Sequence, residues 1–130
     1  MTGVLLDSHV VHWLAAEPGR LSESAAAAIA AADDVAVAGP TWYELAWLFT
    51  RGRLAATIPL RTWLEELARG VRTLPLTPGI AARAAELPDS FGRDPADRII
   101  YATAIEHGFP LVTRDARMRA YDRDGEVVVW

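Results

Sequence analysis

At 130 residues, with 52% apolar and 23% charged side chains, the chain is long enough for one domain with its own core, and no Pro-, Gly- or Ser-rich linker divides it. It has neither cysteine nor lysine, which excludes disulfides, zinc–thiolate and iron–sulfur sites, a thiol nucleophile, Schiff-base chemistry and the lysine of a P-loop. All 13 basic residues are arginines, and the net charge of -4 excludes a globally basic nucleic-acid binder while leaving room for an acidic pocket whose charge a bound metal offsets.

In chain order, Gly3 to Leu6 is a short apolar run that reads as a buried strand, with Asp7 directly after it and a helix from Ser8 to Ala16. Met1 leads straight into this strand with no basic or signal-like segment, and no apolar stretch reaches the length of a membrane span, so a cytoplasmic protein is expected. Ser22 is an N-cap for the Ala-rich helix Ala25 to Ala32, and Val35 to Ala38 is a second buried strand. Pro40 opens a helix that runs to about Thr50 and stops at Gly52. Its Trp42, Leu45, Ala46, Trp47, Leu48 and Phe49 leave so little polar surface that it must be deeply buried or covered by a partner chain. Leu60, Trp63, Leu64, Leu67 and Ala68 keep the spacing of an amphipathic surface helix. Val71 to Leu76 is a third strand, and Thr77-Pro78 pairs an N-cap with proline at the first helical position. Asp94-Pro95 starts the last long helix, Gly108 ends it, and Pro110 to Thr113 and Val127 to Val129 are the fourth and fifth strands. Strands alternating with helices predict an α/β fold with a mainly parallel sheet covered on both faces, whose ligands gather outside the carboxyl ends of the strands.

Four acids stand where such a sheet brings ligands. Asp7 and Asp115 follow strands, while Glu44 and Asp97 occupy the third position of helix starts. Each also has a structural explanation. Asp7 and Asp115 can cap the helices that follow them, Thr41-x-x-Glu44 has the form of a capping box, and Asp97 suits the dipole of a helix whose N-cap is Asp94. Carboxylates that cluster require a cation or a proton to offset them, and hard divalent cations take oxygen ligands. His9 and His12 are three apart, but two imidazoles without a third ligand make a poor metal site, and His107 suits a helix C-terminus. Asp122 and Asp124 read as turn residues.

The segments Leu5-Leu6-Asp7-Ser8-His9, Trp42-Tyr43-Glu44-Leu45-Ala46, Asp94-Pro95-Ala96-Asp97-Arg98-Ile99-Ile100-Tyr101-Ala102-Thr103-Ala104 and Leu111-Val112-Thr113-Arg114-Asp115 resemble, in order and spacing, the PIN-domain toxins of VapBC toxin–antitoxin modules. The resemblance runs from Val4 to Trp130 and implies a single PIN-like domain over residues 1–130, a three-layer α/β/α sandwich. It implies a Mg2+-dependent endoribonuclease, with Mn2+ as an alternative ion, that leaves a 5'-phosphate and a 3'-hydroxyl. Asp7, Glu44, Asp97 and Asp115 match the family's acidic quartet, Asp7 and Asp97 being the expected direct ligands. Ser8, Thr113 and Asp94 stand beside them in supporting roles. Two features depart from the pattern: Tyr101 replaces a smaller residue, and no lysine follows Glu44. The resemblance also implies a homodimer and silencing by a cognate VapB-like antitoxin.

The expected chemistry is hydrolysis by a water that Mg2+ acidifies, with no protein nucleophile. Phosphate contacts are expected from Arg98 and Arg114, then Arg51 and Arg53, with Arg93 and Arg117 behind them. Two other readings stay open: a metal-dependent phosphatase or 5'-nuclease acting on DNA or small phosphorylated substrates, and a non-catalytic scaffold that binds RNA or protein.

Overall fold

Strand β1 (Gly3–Leu6) alternates its side chains between two apolar layers. In the computed structural model, which describes residues 2–54 and 57–130, Val4 and Leu6 face a core shared with α1 (Ser8–Ala16), α2 (Glu23–Ala31), α3 (Pro40–Thr50) and α4 (Leu60–Ala68). Leu5 faces the opposite core, with α6 (Pro95–His107) and α7 (Ala116–Tyr121). The same alternation divides β2 (Asp34–Ala38), where Val37 faces one layer and Ala36 and Ala38 the other, and β4 (Leu111–Val112). Strands buried on both faces need apolar residues at successive positions, so these runs were readable as buried strands without an amphipathic period. α5 (Pro78–Glu86) packs against α6 through Ile80, Ala84 and Ala102. The result is the expected three-layer α/β/α arrangement. No helix among the described residues is long and apolar enough to cross a membrane.

All strand pairings are parallel, in the order β3 (Arg72–Leu74), β2, β1, β4, β5 (Val128–Val129). From β1 the chain moves outward through β2 and β3, then crosses to β4 on the other side. The connections on the two sides of the β1–β4 boundary diverge there and leave a crevice at the carboxyl ends. The register sets Leu6 against Val112, so Asp7 and Thr113 leave the sheet side by side. Asp7 N donates to Val112 O at 3.0 Å and continues the ladder one residue past the strand.

Two glycines are required by their surroundings. Gly108 closes α6 in the left-handed conformation at φ 66°, which turns the chain into Phe109. Phe109 in turn lies against Gly3, where a Cβ would stand 2.4 Å from the ring. Some boundaries differ from the sequence reading. The third strand shrinks from Val71–Leu76 to Arg72–Leu74 because it is an edge strand with β2 as its only neighbour. Thr41 is not an N-cap: Gly39 holds that place with Pro40 after it, and the buried Thr41 hydroxyl has no hydrogen-bond partner. Glu44 is therefore the fifth helical residue, and there is no capping box.

Candidate active site

The carboxyl ends of β1 and β4 and the starts of α3 and α6 enclose a cleft of about 670 Å3. Asp7, Glu44, Asp94, Asp97 and Asp115 all line it, which brings together the four acids singled out in the sequence and adds Asp94. Among the described residues its lining holds one imidazole, His9, and no arginine.

Asp7 is the N-cap of α1. Its Oδ1 accepts from Ser8 N at 2.8 Å and its Oδ2 from the Thr113 hydroxyl at 2.6 Å. The Thr113 hydroxyl also accepts from Asp115 N at 3.0 Å, so this buried threonine couples the ends of the two central strands. Burial raises the Asp7 pKa; the bonds from Thr113 and Ser8 oppose the shift, and Asp115 adds to it. Asp115 caps α7 through Oδ1, which accepts from Arg117 N at 2.8 Å and Met118 N at 3.0 Å. Asp94 caps α6 by accepting from Asp97 N at 3.1 Å.

Glu44 has a side-chain partner instead. The Ser8 hydroxyl donates to its Oε1 in a short hydrogen bond across the α1–α3 boundary. Its pKa is raised, chiefly by burial, with Asp7 and Asp94 contributing against the Ser8 bond. Asp97 is the most perturbed. Burial first, then the charges of Asp94, Asp7, Glu44 and Asp115, push its carboxyl from an ordinary 3.8 to about 7. Carboxylate oxygens of Glu44, Asp94 and Asp97 lie within 4.8 Å of one another, and Asp7 and Asp115 line the same cleft. An all-oxygen donor set in which buried carboxylates repel fits a hard divalent cation such as Mg2+ or Mn2+ and suits soft metals poorly.

The arginines expected at phosphate are distributed differently. The guanidinium of Arg98 donates to Gly92 O (2.7 Å), Ala84 O (3.0 Å), Leu87 O (2.7 Å) and Pro88 O (3.1 Å). It ties the end of α5 and the 87–92 segment to the start of α6, so a guanidinium expected at phosphate is engaged by backbone carbonyls; nothing in the local sequence marks these partners. Arg114 lies over the Trp13 ring at 5.9 Å and lines a small neighbouring hollow with Asp7, His9 and Asp115. Arg51 lies over Trp47 at 4.9 Å, and Arg53 borders a separate groove beside His12.

The remaining sequence features fall into place around this site. His9 is exposed in the cleft, while His12 is buried against Trp63 with its Nδ1 unpartnered, so the two do not share a metal site. Asp122 is more than a turn residue: its carboxylate accepts from the N–H groups of Glu126, Val127 and Val128 and fixes the entry to β5. The unusual Tyr101 is absorbed by an aromatic cluster with Phe91 at 4.9 Å and Tyr121 at 5.7 Å, where burial pushes its hydroxyl up to about 12. The apolar character of α3 is only partly explained by the core. Thr41, Leu45 and Leu48 are buried, whereas Tyr43 and Trp47 stand exposed in the cleft wall.

The sequence profile of the PIN domain matches residues 4–124. Over all 130 residues the chain is 55% identical to Ribonuclease VapC22 of Mycobacterium tuberculosis, with 100% of both chains covered. Among solved structures, a toxin–antitoxin complex from Klebsiella pneumoniae superposes with a TM-score of 0.67 at 22% identity, over 98% of this chain and 96% of that one. VapBC-5 from Mycobacterium tuberculosis, a member of the VapBC family of toxin–antitoxin systems, does so with a TM-score of 0.61 at 24% identity, again over 98% and 96%. By the profile match and the full-length identity, the chain belongs to the PIN-domain family, in its VapC-like branch.

Proposed function

We propose that this protein is a divalent-metal-dependent endoribonuclease and the toxin of a type II toxin–antitoxin pair, acting in the cytoplasm. The observation that carries the reading is the convergence of five carboxylates from four chain segments on one cleft whose lining, among the described residues, holds no arginine. The 55% identity to a protein named a ribonuclease supports RNA as the substrate.

Asp97, Glu44 and Asp94 would hold the ion from the α3–α6 side, with Asp7 and Asp115 facing them from the strand ends. When bound, Mg2+ or Mn2+ supplies neutralisation of phosphate charge and a lowered pKa for water. The chain's own residues set the geometry. Ser8 fixes the Glu44 carboxylate, and Thr113 fixes Asp7 and the backbone leading to Asp115. Backbone N–H groups at three helix starts hold one oxygen each of Asp7, Asp94 and Asp115, which leaves the second oxygen of Asp94 and of Asp115 for a ligand, while that of Asp7 accepts from Thr113. No serine, cysteine or lysine nucleophile is needed for hydrolysis by water. Structural neighbours described as toxin–antitoxin systems support a cognate antitoxin, and a homodimer is part of the same proposal.

The test is incubation of the purified chain with a structured RNA, a single-stranded DNA and a generic phosphate ester, each with Mg2+ or EDTA. Cleavage of RNA alone, only with metal, and loss of that cleavage in Asp97→Asn are expected. Metal-independent cleavage, or an Asp97→Asn variant as fast as wild type, would overturn the proposal.

A further inference from the structure

We infer that Tyr43, Trp47 and Arg51 form a stacking platform for an unpaired nucleobase of the RNA, next to the phosphate held at the carboxylates; the inference rests on the ribonuclease reading above. The three residues are four apart along α3 and its C-cap, and so form one stripe on the helix surface. Tyr43 is 76% exposed and Trp47 40% exposed, and both line the same cleft as Glu44, which is adjacent to Tyr43 in the chain. The Arg51 guanidinium lies 4.9 Å from the centre of the Trp47 ring, where it restrains the indole and puts a cation at the rim.

The occupant follows from what the cleft lacks. No arginine lines it among the described residues, and Arg98 is spent on backbone carbonyls. A nucleic acid entering here meets no guanidinium on the cleft lining itself, with Arg51 at one rim and Arg114 in the hollow beside Asp7 and Asp115. The surface offered beside the cation site is two exposed aromatic rings and a guanidinium plane, which match the π-faces of bases. A protein partner fits less well, since two rings and one guanidinium fall far short of the roughly 800 Å2 per partner of a stable interface. The rest of the cleft wall sets five carboxylates among His9, Pro40, Leu48, Pro95, Ala96 and Ile99.

The test uses fluorescence anisotropy in EDTA, where binding is read without metal-dependent cleavage. The probes are a labelled 12-nucleotide single-stranded RNA of randomised sequence and an abasic ribose-phosphate chain of the same length and charge. Wild type should bind the base-bearing probe more tightly than the abasic one. Trp47→Ala should weaken the first by about 5- to 150-fold, leave the second unchanged, and be largely rescued by Trp47→Phe. Tyr43→Ala should act in the same direction and melt as wild type does, because its ring is 76% exposed; Trp47, at 40%, is read through the Trp47→Phe rescue and the difference between the two probes. Equal loss on the two probes, or no loss on either, overturns the platform. So does light scattering in which Trp47→Ala splits a dimer while RNA binding is unaffected, because the stripe would then belong to a second copy. If wild type discriminates between the probes yet cleaves no RNA with Mg2+, the platform stands and the nuclease reading fails; cleavage without discrimination is the reverse.

Discussion

Replacing Asp97 by asparagine sets two consequences of one charge against each other. As the third residue of α6, an ionised Asp97 gains about 0.3–1 kcal/mol from the helix dipole. In the cleft the same charge is desolvated and faces Asp94, Asp7, Glu44 and Asp115, which together move its pKa from 3.8 to about 7. At ~1.4 kcal/mol for each tenfold change in proton affinity, this displacement bounds the cost of ionisation at roughly 4 kcal/mol. Asp97 keeps part of its surface in water, and screening reduces the figure to about 2 kcal/mol. The unfolded chain releases this proton near pH 3.8 and the folded chain near pH 7, so in between the folded state binds more protons. Stability therefore falls as pH rises through that window, and the full cost is present only above it. Asparagine has no charge to desolvate. In EDTA at pH 8, Asp97→Asn should melt about 5–10 °C above wild type, at ~3–5 °C per kcal/mol for a domain of this size, and the two curves should converge near pH 4. Mg2+ at a hundred times its Kd should then raise wild type alone, by about 2.7 kcal/mol. Circular-dichroism melts from pH 4 to 9 provide the assay. If Asp97→Asn melts at or below wild type in EDTA at pH 8, the dipole outweighs the repulsion and the electrostatic account of the cleft is wrong.

Ser8→Ala removes the hydroxyl that holds Glu44; RNA cleavage and Mg2+ affinity should both drop about 10- to 100-fold, by initial rates and calorimetry, at a stability cost near 1 kcal/mol. A variant with full rate and affinity would show that Glu44 needs no positioning. Arg98→Ala unties four backbone carbonyls and should cost about 3 kcal/mol in urea unfolding, with Arg98→Lys recovering less than half, because an ammonium cannot reproduce the planar fork. The salt dependence of RNA binding should stay the same in a folded Arg98→Gln protein, which lacks the charge; a slope shallower by about 1 would make Arg98 a phosphate contact. Gly3→Ala puts a methyl where the Phe109 ring lies and should destabilise by about 1–3 kcal/mol, with partial relief from Phe109→Leu. A neutral Gly3→Ala would mean that the ring swings away freely.

Much of the architecture was readable because its signals are local. β1, β2 and β4 are short apolar runs, and Ser22, Thr77, Asp94 and Asp115 cap the helices they were expected to cap. The strand order was not readable, since it depends on pairings such as Leu5 with Leu111 that no local pattern encodes. The site acids were found through motif spacing, but their unequal roles depend on three-dimensional neighbours. Thr41-x-x-Glu44 looks like a capping box, yet Pro40, with its fixed φ and missing N–H, takes the first helical position after Gly39 and carries Glu44 two residues deeper. In that position Glu44 meets Ser8, a contact across 36 residues. The partners of Arg98 were not readable for the same reason: they lie at the end of α5 and in the segment after it, 6 to 14 residues earlier, and an arginine's sequence neighbours do not say whether its fork will meet carbonyls or phosphate.

Capping and clustering prove to be one arrangement. A parallel sheet sends each chain segment from a strand's carboxyl end into the N-terminus of a helix, so helix starts and strand ends collect on one side. Asp7, Asp94 and Asp115 are all N-caps, and in each a backbone N–H holds a carboxylate oxygen in place. Those donors and the positive helix ends stabilise ionised carboxylates that would otherwise repel one another. Glu44 lacks a cap bond but has Ser8. Asp97 is the exception: no hydrogen bond lowers its pKa, and all of the causes acting on it raise it. The three caps bring negative charge into the cleft, and Asp97 bears the unrelieved part of it. A cation entering the cleft gains most at that carboxylate, which makes the helix start that orders the site also the place where the site is least stable empty.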